Sequence, residues 1–250
     1  MLQNIIKNIS LEYRGDDAGL PPYINRTGNF FYGNYLFLLD EITDEKCFYA
    51  IADLTRFVTD PENKGKKLNI LINSSGGSVM IMNTISGLLN VAKFNDMEIS
   101  TFVYGIAASA ASVIAVQGTI RLMSRNALHF VHFGMIPQYL TKVTEIDKSH
   151  AFVKQMQHQA ETTYLKYCPN LTKETYLKLI EDEMGYLSAE DCLALGFCDG
   201  IIEDELEAKQ EEDSKVAAAL QKLAEEEEKL ELKKQALQAK KTSKKSKSKK

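Results

Sequence analysis

LNILINSSGGSVMIMNTISGLLNVAKF, residues 68–94, changes its hydrophobic period halfway along. Its first six residues are a short apolar run rich in branched side chains, the pattern of a strand buried on both faces. SSGG at 74–77 is a turn, and from there apolar residues recur at helical spacing to about Phe94. A second such unit follows at once: the strand ISTFVY (99–104), a tight turn at GIAAS (105–109) and a small-residue helix through about Gln117. Strand, glycine turn, helix, strand implies right-handed crossovers, so the expected fold class is α/β with a mainly parallel sheet.

Working outward, NYLFLLD (34–40) reads as a buried strand, and Thr43 with Asp44 and Glu45 supplies a cap and an acidic first turn for a helix to about Val58. Residues 1–33 hold Gly15, Gly19, Pro21, Pro22, Gly28 and Gly33 and read as an irregular arm. Downstream, TIRLM (119–123) and ALHFVHF (127–133) are strand-like, and 141–167 is the longest expected helix. TKETYLKLIEDE (172–183) is another helix, SAEDCLALG (188–196) is a short one between a Ser188 cap and Gly196, and FCDGII returns to a sheet edge.

Charge divides the chain further. Residues 1–202 carry 17 Lys+Arg against 22 Asp+Glu, 203–232 carry 4 against 12, and 233–250 carry 9 against none, so the net −4 is a cancellation. Val216, Leu220, Leu223, Leu230 and Leu237 form an apolar stripe, so 203–241 reads as a charged helix or short coiled coil. Residues 242–250 read as a disordered Lys/Ser tail, able to bind an acidic partner or nucleic acid. Cys47, Cys168, Cys192 and Cys198 show neither a disulfide framework nor zinc spacing, which fits a reducing compartment and no metal. No segment reads as a signal peptide or a membrane span, so the expectation is a soluble, cytoplasmic protein.

For chemistry, Ser109 stands out because a buried strand hands over to a helix beside it. Such a junction presents a hydroxyl at the carboxyl end of the strand, next to the N–H groups of a helix N-terminus. AASAAS is equally compatible with a small-residue packing face. Gly76 and Gly77 follow a neighbouring strand, so the backbone N–H groups of Gly77 and Ala110 are candidates to hold a tetrahedral oxyanion. A serine nucleophile also needs a base. His150 and His158 fall on the long helix; His129 and His132 lie three apart on one strand, so only one of them can face a site.

INSSGGSV, GIAAS, NALHFVHF and YLSAEDCLALGFCDGI, in that order, resemble the proteolytic subunit of the Clp protease, whose signatures read roughly INSPGGSV, GxAASMGA, NSRxMIHQ and FLSAxEAxxxGLVD. The resemblance covers about 34–202 and is that of a divergent member, with a viral or phage type as one variant. It implies the Clp/crotonase-like fold of repeated β-β-α units in a superhelix, with 141–167 as a long handle helix and the charged helical tail outside the pattern. It also implies a serine endopeptidase working without a cofactor, with Ser109 as nucleophile, His132 as base and Gly77 and Ala110 as oxyanion donors. His129 takes no catalytic position, and Ser112 is a fallback nucleophile.

The resemblance further implies a polypeptide substrate, a homo-oligomer of stacked, heptameric rings and an ATP-driven AAA+ unfoldase. The chain departs from the family pattern at Ser75, Ala110 and Phe133, the last two at positions that the resemblance implies line the cleft. Met184 stands where the orienting Asp is expected; Glu183, with Glu181 and Asp182 as alternatives, is the candidate third residue. Loss of that acid costs about 10⁴ in rate, so a weak or inactive ring subunit is the first alternative. A viral procapsid maturation protease is the second, and a crotonase-type acyl-CoA enzyme ranks last.

Overall fold

The computed structural model describes residues 28–132, 143–181, 185–217 and 219–223. Its centre is a sheet ordered β1-β2-β3-β4-β5-β8, made of β1 (Asn29–Tyr32), β2 (Tyr35–Leu38), β3 (Lys67–Ser74), β4 (Glu98–Ala108), β5 (Ile120–Met123) and β8 (Gly200–Ile201). β2, β3, β4, β5 and β8 are parallel in turn, and β1 pairs antiparallel with β2. The arm expected over 1–33 therefore ends earlier: Asn29–Tyr32 is a strand, closed on β2 by Gly33 at φ 60. Its strand character comes from Phe30 and Phe31, and the Phe30 ring stacks on Phe37 across the hairpin at 4.3 Å.

α1 (Asp44–Thr59) and α2 (Val79–Phe94) start at Thr43 and Ser78, whose hydroxyls accept from the N–H groups of Lys46 and Ile81. Both pack apolar faces against one side of the sheet, burying Cys47, Leu54 and Val58 from one and Ile81, Ile85 and Leu89 from the other. Leu68, Ile70 and Ile72 of β3 are wholly buried. Each such side chain contributes about 1.5–3 kcal/mol on leaving water.

β4 runs further than expected. Gly105 does not make a turn; the strand continues through Ala108 and bulges opposite β3, where the register jumps from Ile72↔Val103 to Ser74↔Ala107. The Asn73 side chain fills the bulge, its Oδ1 accepting from Ile106 N–H at 3.1 Å. A Cβ on Gly105 would lie 2.3 Å from that oxygen, so any larger residue would displace the Asn73 side chain. The extra length gives β4 two partners. Ser100–Val103 pairs with β5, and Ile106–Ala108 pairs with β6 (Leu128–Phe130), which in turn pairs with β7 (Tyr186–Leu187). β6 is shorter than the strand expected over 127–133, and His132 lies two residues beyond its end.

α3 (Ala110–Ala115) begins immediately after β4 and is buried along its length. α4 (Val143–Tyr167) is the long helix, followed by α5 (Lys173–Glu181) and by α6 (Ala189–Leu195) with its capping box at Ser188 and left-handed Gly196. Arg121 joins the C-terminal ends of α4 and α6. Its guanidinium donates to both Asp199 carboxylate oxygens, to Tyr167 O at 2.5 Å and to Gly196 O at 2.8 Å.

The chain divides into two units after Glu203. In the second, the described residues are helical through 217 and over 219–223, with Val216, Leu220 and Leu223 exposed. Leu230, Leu237 and the Lys/Ser tail lie outside the described residues. No helix among the described residues is long and apolar enough to cross a membrane. The four cysteines are free and buried, and no cluster among the described residues could hold a metal.

Candidate active site

The switch from β4 to α3 occurs at Ser109 itself, which adopts φ 53 and ψ −122. A non-glycine residue at positive φ is strained by about 1–3 kcal/mol and persists only where its surroundings hold it. Here the Ser109 N–H donates to Phe130 O at 2.8 Å, and Ser109 O accepts from Val113 N–H at 3.2 Å. The residue is thus clamped between β6 and the first turn of α3, with Ala110 N–H at a helix position that has no intrahelical acceptor.

The diglycine turn is seated against this switch. A Cβ on Gly76 (φ +88) would lie 2.8 Å from Ser109 Cβ and 2.9 Å from Ala110 N, so the two backbones approach to a distance that only glycine permits. Gly77 (φ +142) forms a parallel bridge with Ile42. Both hydrogen bonds of that bridge belong to Ile42, whose N–H donates to Gly76 O and whose carbonyl accepts from Ser78 N–H, each at 2.7 Å. The N–H of Gly77 therefore points away from Ile42, toward the side of β3 where β4 and α3 lie. Ser74 Oγ holds the turn, donating to Asp40 O at 2.5 Å and accepting from Gly76 N–H at 3.1 Å.

Ser109, Ala110 and His132 line one cavity of about 60 Å³, walled by Val79, Met82, Val113, Met156 and Ala160 and by the two tyrosines Tyr164 and Tyr176. Among the described residues no hydrogen bond joins Ser109 to His132. Such contacts are often long in a free enzyme and tighten on substrate binding. The His132 ring stacks on Phe130, centroids 5.1 Å apart and planes 14° from parallel.

His129 has a different setting. It is 1% exposed, its Nδ1 lies 2.9 Å from Ser112 Oγ, and its ring meets Phe197 edge-on at 5.5 Å. Burial, with a smaller push from Arg121, lowers its pKa to about 3. Ser112 is fully buried and also hydrogen-bonds Tyr164, whose hydroxyl burial holds well above its ordinary pKa. Ser112 and His129 thus pair with each other inside the core, and Ser112 is not open to a substrate.

Of the candidate acids, Glu181 is exposed at the end of α5, and Asp182, Glu183 and Met184 lie outside the described residues. Gly185, next in the chain, is tied to the neighbour of His132: its carbonyl accepts from Val131 N–H at 2.9 Å. Sequence reasoning missed the far wall of the cavity, because Met156, Tyr164 and Tyr176 arrive from α4 and α5 with no local motif. It also missed Phe130, although its two-residue spacing from His132 puts both on one face of an extended chain.

A family model described as Clp protease matches residues 23–205. The chain belongs to the Clp protease family. It is 27% identical over 175 residues to ATP-dependent Clp protease proteolytic subunit 1 of Bifidobacterium longum, covering 69% of this chain and 72% of that protein. It is 28% identical over 172 residues to the ATP-dependent Clp protease proteolytic subunit of Streptococcus pyogenes serotype M5, covering 68% of this chain and 84% of that protein. At these identities it is a divergent member of the Clp protease family, and the family model begins upstream of β1, in keeping with Asn29–Tyr32 being part of the sheet.

Proposed function

We propose that this chain is a serine endopeptidase subunit that cleaves polypeptides through an acyl-enzyme. Ser109 Oγ attacks the scissile carbonyl carbon while His132 takes the hydroxyl proton. The oxyanion is held by the N–H groups of Gly77 and Ala110, and His132 then returns its proton to the leaving amine. Water, deprotonated by His132, releases the acyl group and restores Ser109. The observation that carries this reading is the strained Ser109 at the β4–α3 switch, in van der Waals reach of the diglycine turn and on one cavity with His132.

Glu183 is the proposed orienting acid, with Glu181 and Asp182 as alternatives. Gly185 is bonded beside His132, and a carboxylate two or three residues before it is within about 8–11 Å of chain. Assembly into stacked rings with a closed chamber, an AAA+ unfoldase that feeds it and a reducing, cytoplasmic setting for the four free thiols belong to the same proposal. The Lys/Ser-rich tail at 242–250 is proposed to meet an acidic partner.

A fluorophosphonate or β-lactone probe is expected to add to Ser109, read by intact mass and peptide mapping, and Ser109→Ala is expected to abolish the adduct. An unchanged mass after prolonged exposure would sink this reading. Met184, at the position of the family's acid, favours one second reading: a ring subunit that co-assembles with active paralogues without turnover. Turnover by the isolated, assembled chain excludes it.

A further inference from the structure

We propose that the rings of Phe130 and Tyr186 hold the His132 imidazole in its working orientation, which makes both of them positioning residues for the general base. The inference rests on the reading of His132 as that base, and it names what steadies the ring.

The three rings form a continuous stack. Phe130 and Tyr186 are directly opposed partners across β6 and β7, with centroids 4.3 Å apart and planes at 26°. His132 also stacks on Phe130, at 5.1 Å and 14°. The backbone beneath the stack is fixed on both sides of the central ring, since Phe130 O accepts from Ser109 N–H at 2.8 Å and Val131 N–H donates to Gly185 O at 2.9 Å. Phe130 therefore reports to two places at once: its carbonyl holds the nucleophile and its ring covers the base.

Stacking covers the face of an imidazole and leaves its edge open, and both ring nitrogens lie on the edge. Ring rotation out of the stacked plane is opposed, while Nδ1 and Nε2 stay available for Ser109 and for an orienting acceptor. When His132 takes the serine proton it becomes a cation lying over a π face, an arrangement that favours the charged form. The stack thus performs part of the work of an orienting acid, in a chain where methionine occupies that acid's usual place. Tyr186 is 55% exposed, so core packing alone does not account for a large ring there.

The groups that could act on His132 instead are few. Tyr164 from α4 and Tyr176 from α5 share its cavity, and among the described residues that line it none is Lys, Arg, Asp or Glu. His129 sits buried on β6 with Ser112, and Glu181 is exposed at the end of α5.

The test compares Phe130→Leu, Tyr186→Leu and Tyr186→Phe in the full chain. One readout is the second-order rate of fluorophosphonate labelling of Ser109 across pH. The other is the pH dependence of His132 modification by diethyl pyrocarbonate, mapped by mass spectrometry. Phe130→Leu removes the π face that meets His132 and is expected to label about 3–10-fold more slowly with a changed pH profile of His132 modification, while Tyr186→Leu, whose ring stacks on Phe130, is expected to act in the same direction by about 2–3-fold. Tyr186→Phe keeps the ring and is expected to stay within about twofold of the unsubstituted chain on both readouts. Leucine variants that melt earlier but keep the His132 titration and the labelling rate would overturn the proposal, leaving the stack a packing feature. An unsubstituted chain that fails to label would overturn the nucleophile reading instead, and the diethyl pyrocarbonate titration would still decide whether the stack acts on His132.

Discussion

Lowering the pH from 7.5 to 5 is expected to cost the folded chain about 2 kcal/mol through His129 alone. The side chain is 1% exposed and its pKa is lowered from the ordinary 6.5 to about 3, first by burial and then by Arg121. A histidine held neutral in the native state contributes nothing extra above its unfolded pKa. Below it the unfolded chain takes up a proton that the native core refuses, and stability falls by about 1.4 kcal/mol per pH unit until the folded pKa is reached. The window is therefore 6.5 down to about 3, and 1.5 units of it lie above pH 5. Asp40 and Glu203, whose carboxyls are held below their ordinary values by hydrogen bonds, lose stability only at more acid pH. Urea unfolding followed by circular dichroism suits a chain without tryptophan. The control is His129→Gln, whose amide can still reach Ser112 but cannot titrate. The unsubstituted chain should lose about 2 kcal/mol more than the control between the two pH values. Parallel losses in the two proteins, within about 0.5 kcal/mol, would refute the reasoning, because His129 would then not be the group that titrates.

Two substitutions test the frame around the site. Gly76→Ala forces a methyl to within 2.4 Å of Ala108 O and 2.8 Å of Ser109 Cβ at a φ of +88. A cost of about 1–2 kcal/mol from the backbone conformation alone is expected, together with at least about tenfold slower labelling of Ser109; an unchanged labelling rate would show that the turn does not abut the nucleophile. Arg121→Lys keeps the charge but loses the fork that reaches Asp199, Tyr167 O and Gly196 O together. A destabilisation of about 2–3 kcal/mol in urea unfolding is expected, and a loss below about 0.5 kcal/mol would mean that the three ends are held by packing instead.

How much of this was legible depends on whether the signal was local. The β3–α2 unit could be read from period and glycine because a buried strand and an amphipathic helix each write their own pattern. Ser188 and Gly196 marked α6 for the same reason. The bulge at Gly105 was not legible as a bulge, since a glycine after a strand reads equally as a turn; what decides is Asn73 on the neighbouring strand, whose side chain needs the space. β1 was hidden by Gly28 and Gly33, which close its two ends rather than break it. The cavity wall from α4 and α5 had no sequence signature at all, because helices distant in the chain supply it.

The histidines show how a short strand separates chemistry by position. Residues three apart on an extended chain face opposite ways, so one of His129 and His132 had to turn from the site. The one that turned inward is buried with Ser112, and a conjugate acid with a pKa of about 3 is too strong to make its neutral form a useful base near neutral pH. His150 and His158 are exposed on α4 and are not among the residues of the Ser109 cavity. That leaves His132 as the one histidine that borders the Ser109 cavity. The proposal that His132 is the base thus rests on where the other three lie as well as on the family pattern. What remains at issue for its rate is how the ring is oriented, by the stack on Phe130, by an acid before Gly185, or by both. The two act on different parts of the imidazole, its face and its Nδ1 edge. Both nevertheless work through the same imidazole, so removing both is expected to cost less than the product of the separate losses, as for residues that share a partner.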